Sequence, residues 1–201
     1  VEDLDTVNSS SWGLELQAIA HSGKAVMGVG GGYRMLGKTI KGEGDPIQGL
    51  GLLDIDTVAE SGIAARVSGR IAGDLPGFAK ILSGVGIKGH IAAGLKTIPG
   101  EGSRSFAMVK DSSGQDMQGG AISLKGNVIG TNLHGIFDEP EVVSKYIHYL
   151  KQLKSGAEIE YIASTEKSID INSFRQTQYD EWADIVRQSL DIGEMYNIMA
   201  M

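Results

Sequence analysis

The sequence predicts a single α/β domain over residues 1–201 with a mostly parallel sheet, and three observations lead there. A helical pattern ends at Gly23 and runs directly into a short apolar strand. That strand ends in three successive glycines followed by a second helical segment, and the last third of the chain carries amphipathic stripes. A helix that delivers its chain into a buried strand is the pattern of crossovers between parallel strands.

The elements follow in order. Trp12, Leu16 and Ile19 recur at helical spacing over 12–21, and Gly23 supplies the residue that tolerates positive φ beyond a helix end. Ala25-Val26-Met27-Gly28-Val29 reads as a buried strand. Gly30, Gly31 and Gly32 form a tight turn into a short helix over Tyr33–Leu36, ended by Gly37. From Gly42 to Gly119 glycine recurs, and strands are predicted at Leu50–Val58, Ala65–Ile71 and Ser105–Val109. Ala121–Leu124 and Asn127–Leu133 are two more, joined at Gly126 and leading to His134. Val142, Val143, Tyr146, Ile147, Leu150 and Leu153 then mark a helix beginning near Glu141. Tyr179, Trp182, Val186 and Leu190 mark another, with a polar surface connection over Lys154–Ser173 between the two.

Composition narrows the function classes. The 25 acidic residues outnumber 18 basic ones, for a net charge of −7, and the basic residues are scattered along the sequence, which argues against nucleic acid or an anionic membrane as partner. No apolar run approaches the roughly 20 residues of a membrane helix, and a soluble, cytoplasmic protein is expected. There is no cysteine, so disulfides, thiolate metal sites and thiol nucleophiles are excluded together. No grouping of histidines and carboxylates has metal-ligand spacing, and no metal is expected. The chain opens on Val1 and enters a helical pattern with no earlier strand, so it reads as an N-terminally truncated fragment.

Two places can carry chemistry. The Gly30–Gly32 turn bends sharply and leaves backbone N–H groups free to face an anion or oxyanion, in the position where an exposed nucleophile is mounted between strand and helix. Gly30 has no side chain to attack with, and the same run equally fits a plain turn built for tight packing. His134, at the carboxyl end of an apolar strand, stands where bases and ligands gather in α/β sheets. His21, His90 and His148 receive no role. A rival motif overlaps the turn: Gly32-Tyr33-Arg34-Met35-Leu36-Gly37-Lys38-Thr39 spells a phosphate-binding loop. Such a loop must open a helix at Gly-Lys-Thr, whereas Gly42, Gly44 and Pro46 follow closely here.

Taken together, Gly28-Val29-Gly30-Gly31-Gly32-Tyr33-Arg34-Met35-Leu36-Gly37 resembles the GICGGYQMLG signature of the glutaminase domains of the cobyric acid synthase family. Gly49-Leu50-Gly51-Leu52-Leu53-Asp54 with Thr57 is similar to that family's GLGLLDxxT, and Gly130 to Asp138 is similar to its GTYLHGIFD. Tyr179-Asp180, Ala183, Val186-Arg187, Leu190-Asp191, Tyr196 and Ile198 follow its closing helices.

The resemblance implies a flavodoxin-like, three-layer α/β amidotransferase domain. In it a cysteine attacks the side-chain amide of glutamine, a histidine relays the proton, and ammonia passes to a synthetase domain that amidates corrinoid carboxylates in cobalamin synthesis. Carried over, the base is His134, Gly30 holds the position of the nucleophile, and Gly31, Gly32 and Tyr33 surround the oxyanion and substrate. The glutamate that class I relatives place two residues after the histidine is Ile136 here. The family's GYEIHxGxT stretch reads Gly89-His90-Ile91-Ala92-Ala93-Gly94-Leu95-Lys96-Thr97, so only Gly89 and Thr97 survive. No cofactor is expected in this domain: ATP and magnesium would belong to the synthetase domain. Glutamine and that synthetase domain are the implied partners. The alternatives are a non-catalytic amidotransferase-like scaffold or binding protein, and a nucleotide-binding protein acting through Gly32–Thr39.

Overall fold

The computed structural model describes residues 6–7, 10–42, 44–61, 64–156 and 171–199. The chain divides into two compact units, Val1–Ser164 and Thr165–Met201. The surface connection expected over Lys154–Ser173 lies outside the described residues from 157 to 170, and its two ends lie within helices.

In the first unit, helix α1 (Ser11–His21) starts where the Ser10 hydroxyl accepts from the Trp12 N–H. It leads to β1 (Val26–Val29), the glycine turn and the short helix α2 (Gly31–Met35). A small sheet takes β2 (Thr39–Lys41), β3 (Ile47–Gln48), β4 (Ile55–Glu60) and β7 (Gly94–Pro99), in the order β3-β2-β4-β7. The large sheet takes β5 (Ala65–Ile71), β6 (Gly86–Ile91), β8 (Ser103–Asp111), β9 (Asp116–Ser123), β10 (Val128–Thr131) and β11 (Leu133–His134) with β1. Its order is β1-β10-β9-β8-β5-β6-β11. A 3₁₀ helix (Gly77–Leu82) and helix α3 (Pro140–Ser155) pack against one face, where Phe78 stacks on Tyr149 at 5.3 Å.

The α/β class holds, but the expectation of a mostly parallel sheet is corrected. Among the described strands β1–β10 and β2–β4 pair parallel, and every other neighbouring pair is antiparallel. The glycine-rich middle explains this. Short connections at Gly114 (φ 84°) and Gly126 (φ 75°) reverse the chain within a few residues, and only antiparallel strands can be joined that tightly.

The predicted strand at Leu50–Val58 begins only at Ile55. The Leu50 N–H donates to the Met35 carbonyl, and those of Leu52 and Leu53 to the Leu36 carbonyl, at 2.8 Å each. These bonds satisfy carbonyls that the end of α2 leaves open, so the segment caps a helix while Leu50 and Leu53 fill the core beneath it.

One topological fact dominates. β10 lies beside one end of the large sheet and β11 forms the other end, yet only Asn132 separates them in sequence. Thr131 and Leu133 are two residues apart, so their Cα atoms lie no more than about 7.6 Å from each other. The sheet therefore curls until its two ends meet in a seam. Core lies on both sides of the strands nearest that seam: Val26, Tyr33, Leu53, Ala121 and Val128 on one, Ile122, Ile129, Leu133 and Ile136 on the other.

The second unit holds α4 (Ile171–Ser189) and α5 (Ile192–Met199). The Asp191 carboxylate caps α5 by accepting from the Glu194 N–H at 2.9 Å. The stripe of Tyr179, Trp182, Val186 and Leu190 is exposed.

Candidate active site

The site occupies the seam. At the carboxyl end of β1, Gly30 adopts φ 58° and ψ −112°, a conformation that only glycine takes without strain. It is the sharp strand-to-helix elbow anticipated from the sequence. Two other glycines make it possible. A Cβ on Gly28 would lie 2.7 Å from the Gly32 backbone and from Leu36, so α2 rests directly on β1. A Cβ on Gly130 would overlap the Tyr33 ring, which packs directly against β10. The elbow is tied to β10 by a bond from the Gly30 N–H to the Thr131 carbonyl, 2.8 Å.

Thr131 then redirects the chain. Its hydroxyl, fully buried, donates to the Gly119 carbonyl and accepts from the Leu133 N–H at 3.1 Å. Two residues on, β11 joins β6 with His134 opposite His90. Gly89 permits this approach, since a Cβ there would collide with the His134 carbonyl.

A side chain on residue 30 would point straight at the His134 ring. A Cβ built on Gly30 lies 2.7 Å from Cε1 and 3.0 Å from Nε2 of His134. The sequence placed these two residues in one site on resemblance alone, and the fold brings position 30 and the His134 ring together, closer than a Cβ at 30 could stand without the ring moving. The surroundings of Gly31 and Gly32 are open, with nothing within 4 Å of where a Cβ would stand. Tyr33 lies in the core beneath the turn. Its side chain is 1% exposed, and burial pushes its phenol well above the ordinary value, partly offset by the hydrogen bond with Thr97.

His90, given no role from sequence, stacks on His134 with ring centroids 5.0 Å apart and planes 15° from parallel. The signal that points to it is its place in the stretch aligned with the family's substrate-pocket motif. Ile91, its neighbour, is buried core, as is Ile136. His134 therefore has no carboxylate two residues on, and among the described residues its ring makes no hydrogen bond.

The phosphate-loop spelling is accounted for structurally. Thr39 opens strand β2, where a phosphate-binding loop would open a helix. The Lys38 ammonium is engaged by the Asp54 carboxylate, and the Thr39 hydroxyl by Asp56. Asp54 also accepts from the Gly102 N–H at 2.8 Å, while Gly100 and Gly102 leave room for its carboxylate. Lys38 first, and then that N–H, hold the Asp54 carboxyl below its ordinary range. Among the described residues no group of three or more histidines and carboxylates could hold a metal. No described helix is long and apolar enough to cross a membrane.

The model of the CobB/CobQ-like glutamine amidotransferase domain matches residues 1–142. The chain belongs to this family. Cobyric acid synthase from Thermoanaerobacter sp. (strain X514) is 33% identical over 99% of this chain and 40% of that protein. The enzyme from Clostridium acetobutylicum is 31% identical over the whole of this chain and 39% of that protein. The amidotransferase chain thus spans about two fifths of the length of these curated relatives. Among solved structures, PurLQS from Thermotoga maritima is similar at TM-score 0.48 and 21% identity, over 69% of this chain and 68% of that one.

Proposed function

We propose that this chain is the glutaminase domain of a cobyric acid synthase, built to release ammonia from glutamine for a synthetase portion that amidates corrinoid carboxylates, and that it is impaired because residue 30 is glycine. The observation that carries the reading is the elbow: a side chain at Gly30 would project onto the His134 imidazole. In the complete reaction, a thiolate at that point attacks the amide carbon, His134 passes a proton to the departing ammonia, and water then hydrolyses the glutamyl thioester to release glutamate and regenerate the thiol. The amides around Gly31 and Gly32 stand beside the developing oxyanion. Without the thiol, only oxyanion donors and binding remain, and loss of a nucleophile of this kind lowers turnover by about six orders of magnitude. ATP and magnesium belong to the synthetase portion; Lys38, engaged by Asp54 ahead of a strand, does not offer them a site here.

A second reading has its own observation. The His134 ring stands within 2.7 Å of where a Cβ would be, closer than real contacts allow, so it occupies space that a nucleophile would need. That favours a non-catalytic relative serving as a scaffold or binding partner. Ammonia release from glutamine by the chain, by Gly30→Cys and by Gly30→Cys with His134→Ala separates the two. Activity that appears with the thiol and vanishes with the alanine supports the glutaminase; a folded but silent Gly30→Cys supports the scaffold.

A further inference from the structure

We infer that the chain carries a second binding site, for a compact anion of two or more charges, on the bare face of the large sheet. Strands β5, β6 and β8 bury one face and expose the other, and on the exposed face Arg66, Ser68, Lys88 and Lys110 line an open depression of about 350 Å³. Register brings them together: Ser68 pairs with Lys88 on one side and with Lys110 on the other, so the lysines flank one hydroxyl across three strands. Arg66 lies one pleat away on the same face as Ser68.

The charges are not balanced locally. Lys110 pairs with Asp116 at 2.8 Å. Asp111, the carboxylate in the wall, is taken up by its own turn: its Oδ1 accepts from the Ser113 hydroxyl at 2.6 Å and from the Ser113 and Gln115 N–H groups at 2.9 Å. Among the described residues no carboxylate pairs with Arg66 or Lys88. Asp111 keeps its charge within that turn, so three cations face two carboxylates, and Arg66 and Lys88, which have no carboxylate partner among the described residues, are the charges a bound anion would pair with. The guanidinium supplies a planar fork, the lysines mobile point charges and Ser68 a hydroxyl, a set suited to phosphate or clustered carboxylate oxygens. The site adjoins the seam, because Arg66 is the cross-strand partner of His90.

The test is a titration of the full chain, followed by amide chemical shifts at fixed ionic strength, with pyrophosphate, citrate and acetate. Pyrophosphate or citrate is expected to bind with a Kd of about 1 mM or tighter, shifting residues of β5, β6 and β8, and whichever binds more tightly identifies the ligand as phosphate or carboxylate. Arg66→Ala and Lys88→Ala should each weaken binding at least tenfold with the melting temperature unchanged, and Lys125→Ala should leave it intact. Binding no better than acetate, or binding that survives the combined Arg66→Ala and Lys88→Ala change, overturns the inference.

Discussion

His90 and His134 lie face to face across the β6–β11 ladder, 5.0 Å between ring centroids, although 44 residues separate them in sequence. The stacking fixes the plane of the imidazole that a nucleophile at the elbow would meet. His90 is therefore expected to position the base. In a Gly30→Cys background, His134→Ala should remove ammonia release by about a hundredfold or more. His90→Ala should cost less, and His90→Phe, which keeps a ring against His134, should recover most of that loss. Equal losses for His90→Ala and His90→Phe would show that stacking is not what His90 supplies.

Restoring the thiol has a cost in stability. At φ 58° an L-residue is strained by about 1–3 kcal/mol, and its Cβ must displace the His134 ring. Gly30→Cys should accordingly lower the urea midpoint, and Gly30→Ala should lower it by a similar amount. The comparison isolates backbone strain from any effect of sulfur.

Gly130→Ala should be among the most damaging single-methyl changes, because the new carbon would overlap the Tyr33 ring beneath the elbow. Overpacking of this kind costs about 1–3 kcal/mol or more. Pairing it with Tyr33→Leu, which clears the space, should recover part of the loss in a denaturation experiment.

Thr131→Val keeps the shape but removes a hydroxyl that serves two buried backbone groups. Stranding the Gly119 carbonyl and the Leu133 N–H should cost about 1–3 kcal/mol, and Thr131→Ser should cost far less. Urea unfolding distinguishes the two.

Asp54 sets an acid limit. Its carboxyl is held below the ordinary value in the folded chain, so its contribution is fully present above about pH 4 and is lost as pH falls through the lower, folded value. Asp54→Asn should therefore flatten the decline of stability between neutral pH and pH 2. An unchanged acid limb would show that the Lys38–Asp54 contact adds nothing measurable.

Much of the site was legible because its information is local. The run Gly28 to Gly37 carries its own reason for every glycine that α2 presses against, and β5 at Ala65–Ile71 appears where a short strand was predicted. His90 was assigned no role, because its closeness to His134 comes from the pairing of β6 with β11, a long-range register that no spacing in the sequence records. Strand direction was missed for a related reason. A buried apolar run looks the same whichever way its neighbour points, and only the tight turns at Gly114 and Gly126 settle it. The phosphate-loop spelling at Lys38 was discounted from sequence because Gly42, Gly44 and Pro46 cannot continue a helix, and Thr39 does open the strand β2.

The single residue that joins β10 to β11 makes the large sheet a hoop, with Asn132 as its clasp. A loop-mounted pair would drift apart as its loop loosened with heat. Here positions 30 and 134 are held by ladders on either side of that clasp, so in a chain with the thiol restored, thermal inactivation should coincide with melting of the whole unit. Cutting the backbone at Asn132 would leave every strand paired and still let the two ends of the sheet spring open.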